Sequence, residues 1–358
     1  MTTSAYIHIP FCKSKCRYCS FVSFTNCKEV EFYISALLNE IKLRYRGEYL
    51  KTLYLGGGTP SLLNLTFLKQ IIECFKFGLD PEITLEVNPD DATLEYFQGL
   101  LELGINRISM GSQSFDDKIL KIIGRRHTSF QTQKAVEMAF KAGFKNVSLD
   151  LIYGLPEQKD LRSDLEIITQ LGIQHVSTYG LKIEEGSYFY KNLPQNLPDD
   201  DRQADMYLEI NDYLKTKDFK RYEISNFAKL GFESRHNLNY WDNKEYYGFG
   251  LAAHGYVDGV RYSNLTNLKK YIENSLKKAS EHKVTIEECL EEEIFLGFRK
   301  EAGINTQEIN RNFNIDFDTK YSSVLSEFVP KYIEKTINGY KLTTDGILLS
   351  NNILSEFL

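Results

Sequence analysis

The sequence is short of positive charge: 43 Lys and Arg stand against 49 Asp and Glu among 358 residues, a formal charge of −6. A nucleic-acid surface needs a basic excess, and the overall balance supplies none. Long apolar runs are missing too. None reaches the ~20 residues that a membrane-spanning helix requires, and the opening "MTTSAYIHIPF" lacks the basic start of an export signal. A soluble, cytoplasmic protein is the expectation. Six cysteines are too few for a disulfide scaffold in a chain of this length. Neither repeats nor low-complexity tracts occur, and an apolar content of 42% excludes a disordered chain.

What is present begins with strand and helix patterns that alternate through the first half. Strands are expected at 5–9, 52–56, 82–89, 107–111, 147–153 and 175–181. Helices are expected at 28–46, 65–77, 93–103, 116–123, 130–142 and 160–171, the first with Phe32, Leu37, Leu38 and Ile41 on one side. Parallel strands need crossovers, so this order implies β–α units that curl into a barrel or an open doubly wound sheet. Such barrels carry their sites at the C-terminal ends of the strands. Gly56–Pro60, Glu86, Asn88, Gly111, Gln113 and Asp150 all stand there. Loop punctuation explains the glycines. It does not explain Glu86 and Asp150 inside apolar strands, where a carboxylate needs a polar ligand or a cation.

The pattern loosens after about residue 185. The Pro/Asp-rich link 191–203 leads into a helix with an acidic first turn. An aromatic-rich stretch follows, with the only Trp and two of the six His. "NLKKYIENSLKKAS" is expected to be a solvated helix face. The division read from this is 1–185, a barrel core; 186–285, barrel completion; and 286–358, a small appended α+β domain.

Three cysteines fall together as Cys12-x3-Cys16-x2-Cys19. Thiolates are soft ligands of iron–sulfur clusters. Three without a fourth suit a four-iron cluster with one iron free to take an amine and a carboxylate; zinc with an outside ligand is the alternative. Cys74 and Cys289 read as packing residues and Cys27 as a helix-entry residue.

"YIHIPFCKSKCRYCSF" resembles the signature of radical S-adenosylmethionine (SAM) enzymes. More narrowly it resembles the group of oxygen-independent coproporphyrinogen oxidases (HemN) and HemW-type haem chaperones. The likeness runs nearly end to end, through "GGGTPS", "EVNPD", "SMGSQSF", "GRRHT", "SLDLIYGLP" and "YGFGLAAHG". It implies an α/β fold: a partial (β/α)6 TIM-like barrel with a small C-terminal winged-helix-like domain. It implies a 4Fe-4S cluster on Cys12, Cys16 and Cys19. It implies SAM contacts from Tyr6, Tyr18, Gly57, Gly58, Thr59, Glu86, Gln113, Arg125 (or Arg126), Asp150, Lys182 and His254. The chemistry implied is reductive cleavage of SAM to a 5′-deoxyadenosyl radical, with electrons from an external donor.

The oxidases of this group carry a further cysteine where this chain has Phe21, and tens of residues before the motif where Tyr6 here comes almost at once. "HNLNYW" (His236, Asn237, Tyr240, Trp241) resembles the chaperone motif and implies haem binding, with an imidazole for iron and rings for stacking; His254 and Cys289 are rival ligands. The expected function is a haem chaperone that binds 4Fe-4S, SAM and haem and delivers haem to apo-haemoproteins. Membrane respiratory proteins are among the expected recipients, with peripheral contact at the inner membrane, and the choice between monomer and homodimer stays open. The alternative is oxidative decarboxylation of coproporphyrinogen III by the adenosyl radical. A nucleic-acid role for the tail is opposed by its acidic entry "EECLEEEIF".

Overall fold

The structure is a computed structural model and describes residues 2–358. Six parallel strands form its centre: β1 (Ser4–Ile9), β2 (Tyr49–Gly57), β3 (Lys76–Val87), β4 (Arg107–Gln113), β5 (Val147–Tyr153) and β6 (His175–Gly180). β7 (Lys220–Arg221) and β8 (Asn226–Ala228) add antiparallel pairs beyond β6. β9 (Tyr247–Phe249) lies parallel beside β1 at the other edge. The helices between the strands are Val30–Arg44, Leu65–Ile72, Leu94–Glu102, Asp117–Ile122, Ser129–Ala142 and Leu161–Gln170.

Side chains alternate across each strand, and the two faces differ in kind. Outward go Leu53 and Leu55, Ile83 and Leu85, Ile108 and Met110, and Leu149 and Leu151, all buried in the main core under Leu37, Leu68, Phe97, Val136 and Leu165 of the helices. Inward go Tyr54, Glu86, Arg107, Ser109, Ser148, Asp150 and Ser177. The outer face holds the sheet to its helices by apolar burial, and the lumen is left free to be polar.

Three sequence expectations are corrected. Phe32 is 63% exposed; the buried face of its helix is Tyr33, Ile34, Leu37 and Ile41, and Phe32 lies well round the helix from Leu37. The second helix stops at Ile72 because Lys76 and Phe77 already pair with Tyr49 and Leu50 as the start of β3. The lysine-rich segment is a helix only over Leu268–Glu273; Lys278–Lys283 is a strand, and Tyr271 is fully buried.

That tyrosine belongs to a polar knot at the β9 edge. Its hydroxyl donates to Glu40 Oε2 at 2.7 Å. Gly250 N–H (2.8 Å) and Asn264 Nδ2 (2.8 Å) also donate to this buried carboxylate, and Arg44 pairs with it. The tail has its own core of Leu290, Ile294, Phe298, Ile309, Phe317 and Tyr340, with a three-stranded antiparallel sheet. Among the described residues no helix is long and apolar enough to cross a membrane.

Removing one member of a buried, hydrogen-bonded ion pair strands the rest. Glu40→Ala is expected to cost about 3–5 kcal/mol, read as a lower midpoint of urea unfolding, while the isosteric Glu40→Gln costs less.

Candidate cluster and SAM site

The cysteines occupy the loop that leaves β1. A bridge between Phe11 and Phe24 closes its base, with Cys12 N–H donating to Phe24 O at 3.0 Å and Phe24 N–H to Pro10 O at 2.7 Å. Its far side is fastened to the end of the helix Asp117–Ile122, where Arg17 N–H donates to Ile123 O at 2.9 Å.

Beside it lies the glycine turn after β2, where the need for glycine is steric. A Cβ on Gly58 would come within 2.7 Å of Phe11 O. A Cβ on Gly57, which has φ +112°, would meet the His8 ring at 2.6 Å. His8 was not singled out from the sequence. Its Nδ1 pairs with Tyr6 OH at 3.0 Å and its Nε2 with Val22 O at 3.1 Å, so it ties the strand to the cysteine loop. The histidine inside the strand "YIHIP" was the available signal.

Two sulfurs receive donors. Thr59 Oγ1 lies 3.5 Å from Cys12 Sγ and Arg125 Nη1 3.4 Å from Cys16 Sγ. Arg125 also donates to Gly111 O at 2.6 Å and to Asn88 Oδ1. Arg126 turns to Asp90 at 2.6 Å, so Arg125 is the member of "GRRH" that faces the sulfurs. Tyr18 lies against Arg125, Cys16 and Cys19, and burial raises its pKa. Burial also raises the Cys19 thiol. Among the described residues, no group of three His, Cys, Asp or Glu is gathered around one point as a single ion would need. The donor set fits a thiolate-held cluster: soft sulfurs, a hydroxyl and a guanidinium aimed at them, and a glycine turn that leaves room beside them.

Glu86 stands next to this turn. It accepts from Tyr54 OH at 2.9 Å and from Gly57 N–H at 3.0 Å. Burial pushes its pKa up to about 7, with Asp150 adding to the rise and the Tyr54 bond opposing it. Asp150 is also raised, mainly by burial, and accepts from Ser109 Oγ at 3.4 Å. Gln113 ends β4 in the left-handed region, φ +65°, a conformation that costs a non-glycine residue energy and marks sites. Tyr6, Tyr18, the glycine turn, Glu86, Gln113, Arg125 and Asp150 thus gather at one end of the barrel. Lys182 and His254 are exposed and make no hydrogen bond to any of them.

The haem-motif residues lie elsewhere. The helix Arg235–Trp241 carries them, and its N-terminus is capped by Glu82, which accepts from the Arg235 and His236 N–H groups, each at 3.0 Å. His236 is 1% exposed, with Nδ1 on Thr52 Oγ1 (2.8 Å), Nε2 on Tyr240 OH (2.8 Å) and its ring stacked on Tyr54 at 5.2 Å. Burial, then the Arg107 charge, lower its pKa to about 3. Both nitrogens of the imidazole that the motif offers for iron are engaged inside the barrel. Tyr240 borders a cavity of about 550 Å³ with Tyr246, Arg261 and Phe295, and Trp241 borders one of about 820 Å³ with Glu293 and Lys300. Ser234 caps the helix by accepting the Asn237 backbone N–H on its Oγ at 3.3 Å. Cys289 is half-buried near Asn243, at 4.0 Å.

The barrel and its three-cysteine loop are those of a radical-SAM-type protein, and the Radical SAM superfamily model matches residues 6–168. The solved structure of the coproporphyrinogen III oxidase HemN from Escherichia coli superposes with a TM-score of 0.87, covering 99% of this chain and 90% of that one at 22% identity. That likeness fixes the fold: an α/β partial barrel with a small C-terminal α+β domain. "Heme chaperone HemW" of Bacillus subtilis (strain 168) is 39% identical, over 99% of each chain. The protein of the same name from Lactococcus lactis subsp. lactis (strain IL1403) is 38% identical, over 99% of this chain and 97% of its own. The chain belongs to the HemW family.

A carboxyl whose pKa is raised on folding favours its neutral form, so it lowers stability as pH rises from its ordinary 4.5 towards 7. Across that window the wild type is expected to lose stability relative to Glu86→Gln, which cannot ionise, keeps an acceptor oxygen for Gly57 N–H and can turn its amide N–H to the Tyr54 hydroxyl oxygen. Parallel denaturation curves for the two proteins would contradict the assignment.

Proposed function

We propose that this protein binds a 4Fe-4S cluster on Cys12, Cys16 and Cys19, holds SAM against it, and carries haem to apo-haemoproteins. The observation that carries this reading is the full-length likeness to relatives named heme chaperones. When bound, the cluster would supply an electron and one open iron corner. This chain's residues do the rest. Thr59 and Arg125 hydrogen-bond the sulfurs and steady their charge. Gly57 and Gly58 let backbone come close to a ligand. Glu86, neutral or charged near pH 7, can accept from an amine or a hydroxyl, and Asp150 and Gln113 offer further polar contacts. Lys182, on the loop after β6, and His254, at the start of the strand His254–Val257, are exposed and are the outlying members of the SAM set.

Haem is assigned to the motif helix. Tyr240 and Trp241 border cavities. His236, the Ser234 cap and Glu82 hold the helix in place, and Asn237 stands in its first turn. Axial ligation by His236 would break two hydrogen bonds of 2.8 Å. The position of Phe21, 66% exposed where the oxidases of the group have cysteine, counts against coproporphyrinogen oxidation. An electron donor and haemoprotein recipients, membrane respiratory proteins among them, are the expected partners.

Cys16→Ala is expected to lose its cluster on anaerobic reconstitution; full retention of iron and sulfide would refute the ligand set. Haem titrated into His236→Ala is expected to bind several-fold more weakly than into wild type with an unchanged absorption maximum, whereas a shifted maximum would make His236 an axial ligand. Protoporphyrinogen formed from coproporphyrinogen III, SAM and a reductant would overturn the chaperone reading.

A further inference from the structure

The two cavities beside the motif helix differ in what they offer an iron atom. Haem iron is held in proteins by His, Cys, Met or Tyr side chains. The larger cavity, about 820 Å³, is bordered by Trp241 and by charged and amide groups such as Glu293, Lys300 and Asn305, and by none of those four. The smaller, about 550 Å³, falls within the range of cofactor pockets, about 300–1,000 Å³. It lies between the barrel edge and the C-terminal helix Ile286–Gly297. Phe295, Leu296 and Leu358 give it an apolar wall, and Tyr240 and Tyr246 border it.

The rival ligands are committed or stand elsewhere. His236 has both nitrogens engaged. His254 and Cys289 border neither cavity. The Tyr240 hydroxyl is paired with His236 Nε2 at 2.8 Å. Tyr246 remains.

Tyr246 is well anchored. Its backbone N–H donates to Tyr256 O at 2.8 Å, and its carbonyl accepts from Tyr256 N–H at 2.9 Å. Its ring meets Tyr240 edge-on, with centroids 4.6 Å apart. Burial disfavours a phenolate here, and the charge and N–H groups of Arg261 favour one. Arg261, on the strand Val260–Asn264, is itself held by both oxygens of Glu292 (2.6 and 2.7 Å) and by Asn243 Oδ1 (2.8 Å). A guanidinium only donates. It therefore serves the phenol oxygen and not its proton, and no acceptor among the described residues takes that O–H. An oxygen beside a fixed cation, its proton unclaimed, at the edge of an apolar cavity, suits an anionic ligand to a metal.

We propose that Tyr246 is the axial ligand of haem iron, with the porphyrin in the 550 Å³ cavity and Arg261 steadying the phenolate oxygen. The inference rests on the haem reading above and gives it a seat and a ligand. When Tyr246 takes ferric haem, its O–H bond breaks, the oxygen–iron bond forms and the proton leaves to solvent; no electron is exchanged. Because Glu292 comes from the C-terminal helix and holds Arg261, the site needs the barrel and the tail together.

The test is titration of ferric haem into the full-length, cluster-reconstituted protein, read by difference absorption and by EPR. Wild type is expected to show a high-spin ferric signal and a phenolate-to-iron charge-transfer band. Tyr246→Phe removes one oxygen and leaves the ring, so it is expected to fold, to lose the band and to bind several-fold more weakly. Tyr246→His is expected to restore binding with the spectrum of an imidazole ligand. Arg261→Gln is expected to keep the band and to weaken binding about tenfold, the low end for loss of a group that supports a metal ligand. A spectrum unchanged in Tyr246→Phe, at any affinity, would overturn the ligand assignment and leave the haem reading standing; failure of haem to bind the wild type would overturn both.

Discussion

The cysteine loop lies where it does because the turn after β2 has no side chains to hold it away. Gly58 lets the loop backbone at Phe11 come within reach of its own, and Gly57 leaves space for the His8 ring. That close approach puts the Thr59 hydroxyl on Cys12 and the Gly57 N–H on Glu86 at once. The sulfur-bearing loop and the carboxylate of the neighbouring strand are therefore set relative to each other by one turn of backbone.

A second constraint is the division of labour between the two faces of the sheet. Apolar residues at every other position bury against the helices and supply the cohesion. The inward positions are thereby released from packing duty, and they carry carboxylates, serines, tyrosines and one arginine. A lumen of that kind is costly to desolvate. It persists because nearly all its groups are paired: His175 with Ser148 and Tyr222, His236 with Thr52 and Tyr240, Glu86 with Tyr54. The Nε of Arg107 and the hydroxyl of Thr84 are buried without a hydrogen-bond partner.

Much of this was legible in the residues. Period-two alternation in "ITLEV" and "SLDLI" marks both the strands and the anomalous Glu86 and Asp150. Capping signals such as Gly143, observed at φ +116°, end helices where expected. Local pattern failed where a distant partner decided the outcome. The three-residue strand β9 has too little sequence to show a period, and it exists because β1 offers it an edge. Tyr271 sits in a lysine-rich segment that reads as solvated, but Glu40 draws it inside. His236 reads as an imidazole for iron within an aromatic run; only the fold reveals Thr52 and Tyr240 at its two nitrogens.

The seven-residue helix Arg235–Trp241 is too short to be stable on its own. Its first turn rests on Glu82, more than 150 positions earlier, and its histidine on Thr52 and Tyr54. The six-letter motif is therefore not a portable module. Grafted onto another scaffold without an acidic residue beneath its amide groups and a hydroxyl facing its ring, the same letters would form a loop, and whatever they recognise here would not travel with them.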